Sequence, residues 1–264
     1  MIPVLGVPIL NRGDLLLRQF NSIDYPVDCL HIVINYVGNT PDASVTQAVS
    51  QIQNEIRNGH PFVKRLTSEG GMLYNADKHL VSNNMGVAGS WNHIIKAHPD
   101  ANYVLLAGND IQFTPGDLEK FDRFMTALTP EERNKKGITC GNHGYSCFAI
   151  LPETIKNVGY FDENIYPAYL EDCDYSWRCS LVEVNNNDVQ DTHMIHGEAP
   201  SWGSSTIHSD NELRQKNGYT HGKNFEYYRK KWGGDNGHEL FVTPFDNPEY
   251  AIQFWPIPHR VNTW

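Results

Sequence analysis

No stretch of this chain stays apolar for the roughly 18–20 residues that a membrane-spanning helix needs, so the sequence predicts no integral membrane segment. Cations are few as well: 21 lysines and arginines stand against 31 aspartates and glutamates, a formal net charge of −10. Nucleic-acid backbones are held by clustered Lys and Arg, so no nucleic-acid partner is expected. A bound cation or a neutral acceptor suits this charge better. Cysteine is scarce and unpaired in pattern: Cys29, Cys140, Cys147, Cys173 and Cys179 make an odd number with no Cys-x-x-Cys spacing. That argues against a cysteine-built zinc site or a disulfide framework and predicts buried thiols in a reducing, cytoplasmic setting. No Gly-x-Gly-x-x-Gly follows a strand and no Gly-x-Ser-x-Gly occurs, which removes the support for a dinucleotide dehydrogenase or a serine hydrolase. The segment Met1 to Asn11 lacks a basic n-region and a small-residue cleavage site, and reads as a first strand.

What remains alternates. Apolar runs at Pro3–Val7, Leu30–Ile34, Lys78–Ser82 and Tyr103–Ala107 predict strands. Helical spacing predicts helices over Asp14–Phe20, Val45–Arg57, the segment around Val87–Ile95, and Leu118–Leu128. Alternation of this kind predicts an α/β fold, a mostly parallel sheet covered on both faces. After residue 137 a strand, a short helix and a turn are expected. "LEDCDYSWRCSL" then reads as a helix with a Leu170, Cys173, Trp177 and Leu181 stripe and an Asp174–Arg178 pair four residues apart. "NFEYYRKKW" is a further helix stopped by Gly233 and Gly234. The expected organisation is one domain over 1–234, with halves 1–112 and 113–234, and an extended tail over 235–264.

In parallel α/β sheets ligands gather at the carboxyl ends of the strands. Here the first strand ends with Pro8 and Asn11, the second with Asn35 and Asn39, and the fourth with Gly108-Asn109-Asp110. Turns are made of the same residue types; three polar strand ends in one half of the chain point further, to a shared crevice.

Taken in order, "IPVLGVPILNR", "NNMGVAGSWN", "LLAGNDI", "VGYFDENIYPAYLEDCDYSWR" and "RKKWGG" resemble the GT-A glycosyltransferases, specifically the family 2-like inverting enzymes, over roughly residues 1–235. The resemblance implies a nucleotide-binding parallel sheet, a small mixed sheet in an acceptor-binding second half, and transfer of a sugar from a nucleoside diphosphate donor with Mn²⁺ or Mg²⁺. A divalent cation offsets the charge that grows on the departing diphosphate. The family's Asp-x-Asp corresponds to Gly108-Asn109-Asp110, so Asp110 is the implied metal ligand and the first carboxylate is missing. Pro8, Asn11, Asn35, Asn84, Gly86, Gly89, Asn92 and Asn109 fall where the family contacts nucleotide or donor sugar. Asn35 suits the N3–H of uracil or thymine, so a UDP- or dTDP-sugar is favoured. Glu171-Asp172 is the implied acid pair, with Asp172 the general base that takes the acceptor hydroxyl's proton and Glu171 an orienting group. Of His193 and His196, the second is the implied further metal ligand.

Each assignment has a plainer counterpart: an Asx turn at Asp110, a helix-dipole role for the acidic pair, surface or core positions for the histidines. Trp202 can stack on a sugar or simply pack, and Arg229, Lys230 and Lys231 can meet a diphosphate or merely end a helix. A sugar nucleotidylyltransferase is a weaker reading, because "VPILNRGDLLLRQF" carries one glycine where that class has a Gly-rich basic loop. A non-catalytic carbohydrate- or nucleotide-binding protein is the other, suggested by the reduced Gly108-Asn109-Asp110 triplet. The acceptor expected is a glycan, a glycoconjugate or a small molecule. The tail aromatics Phe245, Tyr250, Phe254, Trp255 and Trp264 suit an acceptor groove or a subunit contact.

Overall fold

The computed structural model describes residues 1–74, 80–198, 204–208 and 210–256. β1 (Ile2–Ile9) is apolar on both sides because helices cover both faces of its sheet. The chain continues through α1 (Gly13–Asn21), β2 (Val27–Ile34), α2 (Ala43–Arg57), β3 (Val63–Gly70), β4 (Leu73–Tyr74), β5 (Leu80–Ser82), α3 (Gly86–Ala97), β6 (Val104–Ala107) and β7 (Ile111–Gln112). The second half holds α4 (Asp117–Ala127), α5 (Pro130–Lys135), β8 (Lys136–Gly141), β9 (Gly144–Ile150), α6 (Pro152–Val158), α7 (Glu171–Leu181), β10 (Asn185–Asp188), β11 (Ile195–His196), α8 (Ser205–His208) and α9 (Asn211–Trp232).

Among the described residues the main sheet has seven strands in the order β10-β8-β9-β6-β1-β2-β3. β1 pairs in parallel with β2 and β6, and β2 with β3, so the carboxyl ends of these strands open on one edge. β9 runs antiparallel to β6 and β8. The α/β architecture expected from the alternation is therefore the one observed. In place of one small mixed sheet, the described residues form two small antiparallel ladders, β4–β5 and β7–β11; the second joins the two halves of the chain, with His196 facing Ile111.

Alternation along β1 explains the two cores. Leu5, Val7 and Ile9 point toward Leu16, Phe20, Val45 and Phe121 from α1, α2 and α4. Val4 faces the opposite core, with Trp91, Ile94, Phe148 and Tyr175. At Gly6 a Cβ would stand 2.7 Å from Ile94 Cγ2, so a side chain there would push α3 off the sheet. Helix starts are chemically marked: Asp42 accepts from the Ser44 and Val45 amides, and Thr129 with Glu132 forms a capping box. The Leu170–Leu181 stripe of α7 packs against Tyr228 and Trp232 of α9, and Asp174 pairs with Arg178 at 2.9 Å, both as the spacing predicts.

Three expectations need correction. The third strand of the sheet is β3, not the run at Lys78–Ser82. That run is described only from Leu80, and its described part forms a two-stranded ladder with β4. β3 reads VKRLTSEG and lies at the sheet edge with polar groups toward solvent, so it has no apolar signature to find. Lys231 is not available to a diphosphate: it is fully buried between Asp162 and Asp174, while Arg229 pairs with Asp235. None of the described tail aromatics, Phe245, Tyr250, Phe254 and Trp255, lines the cavity at the strand ends, so of the two roles expected for them only a groove at that place is set aside. Tyr250 and Phe254 stack at 3.8 Å, and Trp177 Nε1 donates to Phe241 O at 3.2 Å, binding the tail to the back of α7. Trp202 and Trp264 lie outside the described residues. All five cysteines are free, and Cys29, Cys140, Cys147 and Cys179 are buried. No helix among the described residues is long and apolar enough to cross a membrane.

Candidate functional site

The carboxyl ends of β1, β2 and β6 open into a cavity of about 320 Å³. Pro8, Asn35, Asn109 and Asp110 form its floor, and Asn84 and Gly86 at the start of α3 form one side. Glu171 and Asp172 at the start of α7 stand on another, with His196 beside Asp110. Nine of the residues singled out in the sequence thus share one cavity, although they come from positions 8 to 196.

Their local chemistry differs. Asp110 is buried, and its Oδ2 accepts from the Ser205 amide at 2.7 Å. Its Oδ1 lies 3.5 Å from His196 Nε2. The β7–β11 ladder fixes this approach, with Gly197 N donating to Asp110 O at 3.0 Å. One carboxylate oxygen and one imidazole nitrogen therefore face each other, a donor pair that fits a divalent cation needing further oxygen ligands from a bound anion. Asn109 donates to Asn11 O at 3.2 Å and accepts from Thr206 Oγ1 at 3.2 Å, which ties the strand end to α8. Asn35 is spent on the fold: Nδ2 donates to Ser90 Oγ at 3.0 Å and Oδ1 accepts from Met85 N at 2.8 Å, clamping β2 to α3. Its carbonyl keeps a second lone pair for a ligand. Asn84 Oδ1 accepts from Gly86 N at 2.8 Å. Gly86 has φ +70° and a Cβ there would meet Pro167 O at 2.7 Å, so this close approach of loop to helix requires glycine.

Three of the expected donor contacts lie off the cavity wall. Asn92 is fully buried, donating to Phe161 O (2.8 Å) and Glu163 Oε1 (2.9 Å) and accepting from Phe161 N (2.9 Å); it is a brace for the loop before α7. Gly89 sits inside α3, buried against the sheet side. Asn11 stands behind the floor, donating to Thr206 O at 3.1 Å.

Glu171 is the unusual group. It is only 7% exposed, and its Oε2 has no hydrogen-bond partner. Burial first, and the neighbouring Asp172 charge second, push its carboxyl up to about 8. Asp172 is less buried, and its Oδ1 accepts from Cys173 N at 2.8 Å. The pair is presented by a strained turn: Tyr169 and Leu170, neither of them glycine, have φ of 75° and 80°. Asn224 of α9 holds that turn by donating to Ala168 O and Tyr169 O at 2.9 and 3.1 Å.

Sequence reasoning missed the buttress beneath Asp110. Arg18 Nη2 donates to both Asp110 O and Gly197 O at 3.0 Å, and Gln19 Nε2 donates to Gly108 O at 2.7 Å. Nothing in a helix reading of "DLLLRQF" marks these side chains as supports for a loop 89 to 92 residues away. His143, whose ring centroid is 5.5 Å from that of His196, was also unmarked.

Among solved structures, the chain is similar to S. aureus TarS (residues 1–349), with a TM-score of 0.48 and 15% identity over 87% of this chain and 73% of that one. It is also similar to GalNAc-T7 solved with UDP, GalNAc and Mn²⁺, with a TM-score of 0.49 and 9% identity over 89% of this chain and 53% of that one. Both scores fall below 0.5, and the α/β description rests on the chain's own topology. In sequence, it is 36% identical over 81 residues to a galactofuranosyl glycosyltransferase of Leishmania donovani. The chain is similar to a glycosyltransferase. That match covers 28% of this chain and 19% of the relative's length. No family model matches.

Proposed function

We propose that this chain is an inverting glycosyltransferase of the GT-A type, moving a sugar from a nucleoside diphosphate donor to a hydroxyl of a glycan or other acceptor. The observation that carries the reading is the convergence of Asp110 and His196 with Glu171 and Asp172 on one cavity at the carboxyl ends of parallel strands. The sequence similarity to a galactofuranosyl glycosyltransferase supports the same class.

In this reading Pro8, Asn35, Asn84 and Gly86 border the nucleotide, and a UDP or dTDP donor suits the remaining lone pair of Asn35. Asp110 and His196 would hold a Mn²⁺ or Mg²⁺ ion, which would supply charge neutralisation for the leaving diphosphate. Asp172 accepts the proton of the acceptor hydroxyl while that oxygen attacks the anomeric carbon. The carbon–phosphate-oxygen bond breaks on the opposite face, and configuration inverts. Glu171, protonated at neutral pH, adds a hydrogen-bond donor to the cavity without adding a second negative charge near the diphosphate.

Calorimetric titration of UDP, dTDP and GDP, each with and without Mn²⁺, into wild type and Asp110→Asn tests this. A uridine or thymidine diphosphate is expected to bind with strong metal dependence, and the variant is expected to lose that dependence. Absence of nucleotide binding under every condition would overturn the reading and leave a binding or structural protein that keeps the fold.

A further inference from the structure

A second convergence of ligand atoms lies outside the cavity. His31 on β2, Glu69 on β3 and His93 on α3 meet where α3 crosses the sheet. His31 Nε2 and His93 Nε2 both stand 2.7 Å from the same oxygen, Glu69 Oε1. The three atoms lie within 4.8 Å of one another, and this is the one such group of three among the described residues. His31 is fully buried, whereas Glu69 and His93 are partly open, so an ion can enter from solvent. None of the three lines the cavity.

The surroundings match how a metal-binding histidine is held. The far nitrogen of His31, Nδ1, is 2.9 Å from Nε2 of His98, which follows the end of α3. A ligating imidazole generally has its other ring nitrogen fixed by such a partner, which sets tautomer and orientation.

We propose that His31 Nε2, His93 Nε2 and Glu69 hold one zinc ion, with water completing the shell. Two imidazoles and a carboxylate are a donor set that zinc favours over magnesium or calcium. Ligand atoms around tetrahedral zinc stand about 3.3 Å apart, so each imidazole nitrogen draws back from Glu69 Oε1 by roughly 0.6 Å from its present 2.7 Å. Each imidazole then carries its proton on Nδ1, and His31 passes that hydrogen bond to His98. The ion ties β2, β3 and α3 together. Gly86, on the cavity wall, begins the same helix, about 10 Å along its axis from His93. The inference does not depend on glycosyl transfer, and its test uses no activity.

The experiment is competition for zinc between the metal-free full chain and a chromophoric chelator, paired with thermal melting, on wild type, Glu69→Gln, His93→Gln and Asp110→Asn. Wild type is expected to take up one zinc per chain and melt higher with it. Glu69→Gln and His93→Gln should each bind at least tenfold more weakly and lose the melting shift, while Asp110→Asn keeps both. Two substitutions at partly open positions guard against one of them failing to fold. The proposal is overturned if wild type takes up no zinc, if both flank variants bind as wild type does, or if Asp110→Asn is the variant that loses the ion.

Discussion

Helix α7 carries two acidic groupings three residues apart, and they are built to opposite ends. Asp174 is fully buried, and every oxygen is used. Its Oδ1 accepts from Lys231 Nζ (2.6 Å) and Trp232 Nε1 (2.8 Å), and Arg178 Nε donates to Oδ2 at 2.9 Å. Lys231 also donates to Asp162, which accepts from Tyr227 as well. Burial pushes the Asp174 carboxyl up, but Lys231 and Arg178 outweigh it and hold it below the usual range. Glu171, one turn earlier on the same helix, has a buried oxygen with no partner and a carboxyl pushed up to about 8. A partnered buried carboxylate locks α9 to α7; an unpartnered one beside a cavity leaves bonding capacity for something that is not protein.

If that division is right, the two groupings respond to substitution in opposite currencies. Asp172→Asn removes the proposed base without changing size. Transfer from the matching donor should fall by about 10²–10⁴-fold, while the unfolding free energy from urea titration stays within about 0.5 kcal/mol of wild type. Equal loss of both would place Asp172 with the structural group. Lys231→Met does the reverse. It leaves Asp162 and Asp174 facing each other without their shared cation, and stability measured by urea unfolding should drop by roughly 3–5 kcal/mol. Below its melting range the variant should still bind nucleotide, because the knot lies outside the cavity lining.

The same contrast explains what could be read from the chain. Strand ends announce themselves because an apolar run breaks abruptly into Asn, Asp or Gly, and this found Asn35, Asn109 and Asp110. Spacing of four on a helix found Asp174–Arg178. Neither signal reaches across the fold. Lys231 looked like a helix-ending cation until Asp162, 69 positions earlier, closed on it. Asn92 carries the same side chain as Asn84 and sits eight residues further on, yet one lines the cavity and the other braces Phe161. Which face of α3 meets the loop decides that, and sequence alone does not record it. The histidines at 31, 93 and 98 come from two elements and a helix end, with no motif linking them. β3 was hidden for a simpler reason: an edge strand satisfies its pairing through backbone, so its side chains need not be apolar.

The finest test of the contrast is Glu171→Gln, followed as stability against pH. In the unfolded chain this carboxyl has its ordinary value near 4.5, whereas in the folded protein it stands near 8. Folding then takes up a proton anywhere between those values, so wild type loses stability as pH rises through that window and levels off above it. Glutamine does not titrate and does not share the loss. The variant should come close to wild type near pH 4.5 and exceed it by roughly 4–5 kcal/mol at pH 8.5, read from urea unfolding at the two pH values. Asp174→Asn should behave oppositely. Its carboxylate is held below the usual range, so its contribution is present above the unfolded value and fades as the solution turns acid. Parallel pH profiles for the two variants would erase the distinction between the carboxylate that holds the fold and the one kept open to a ligand.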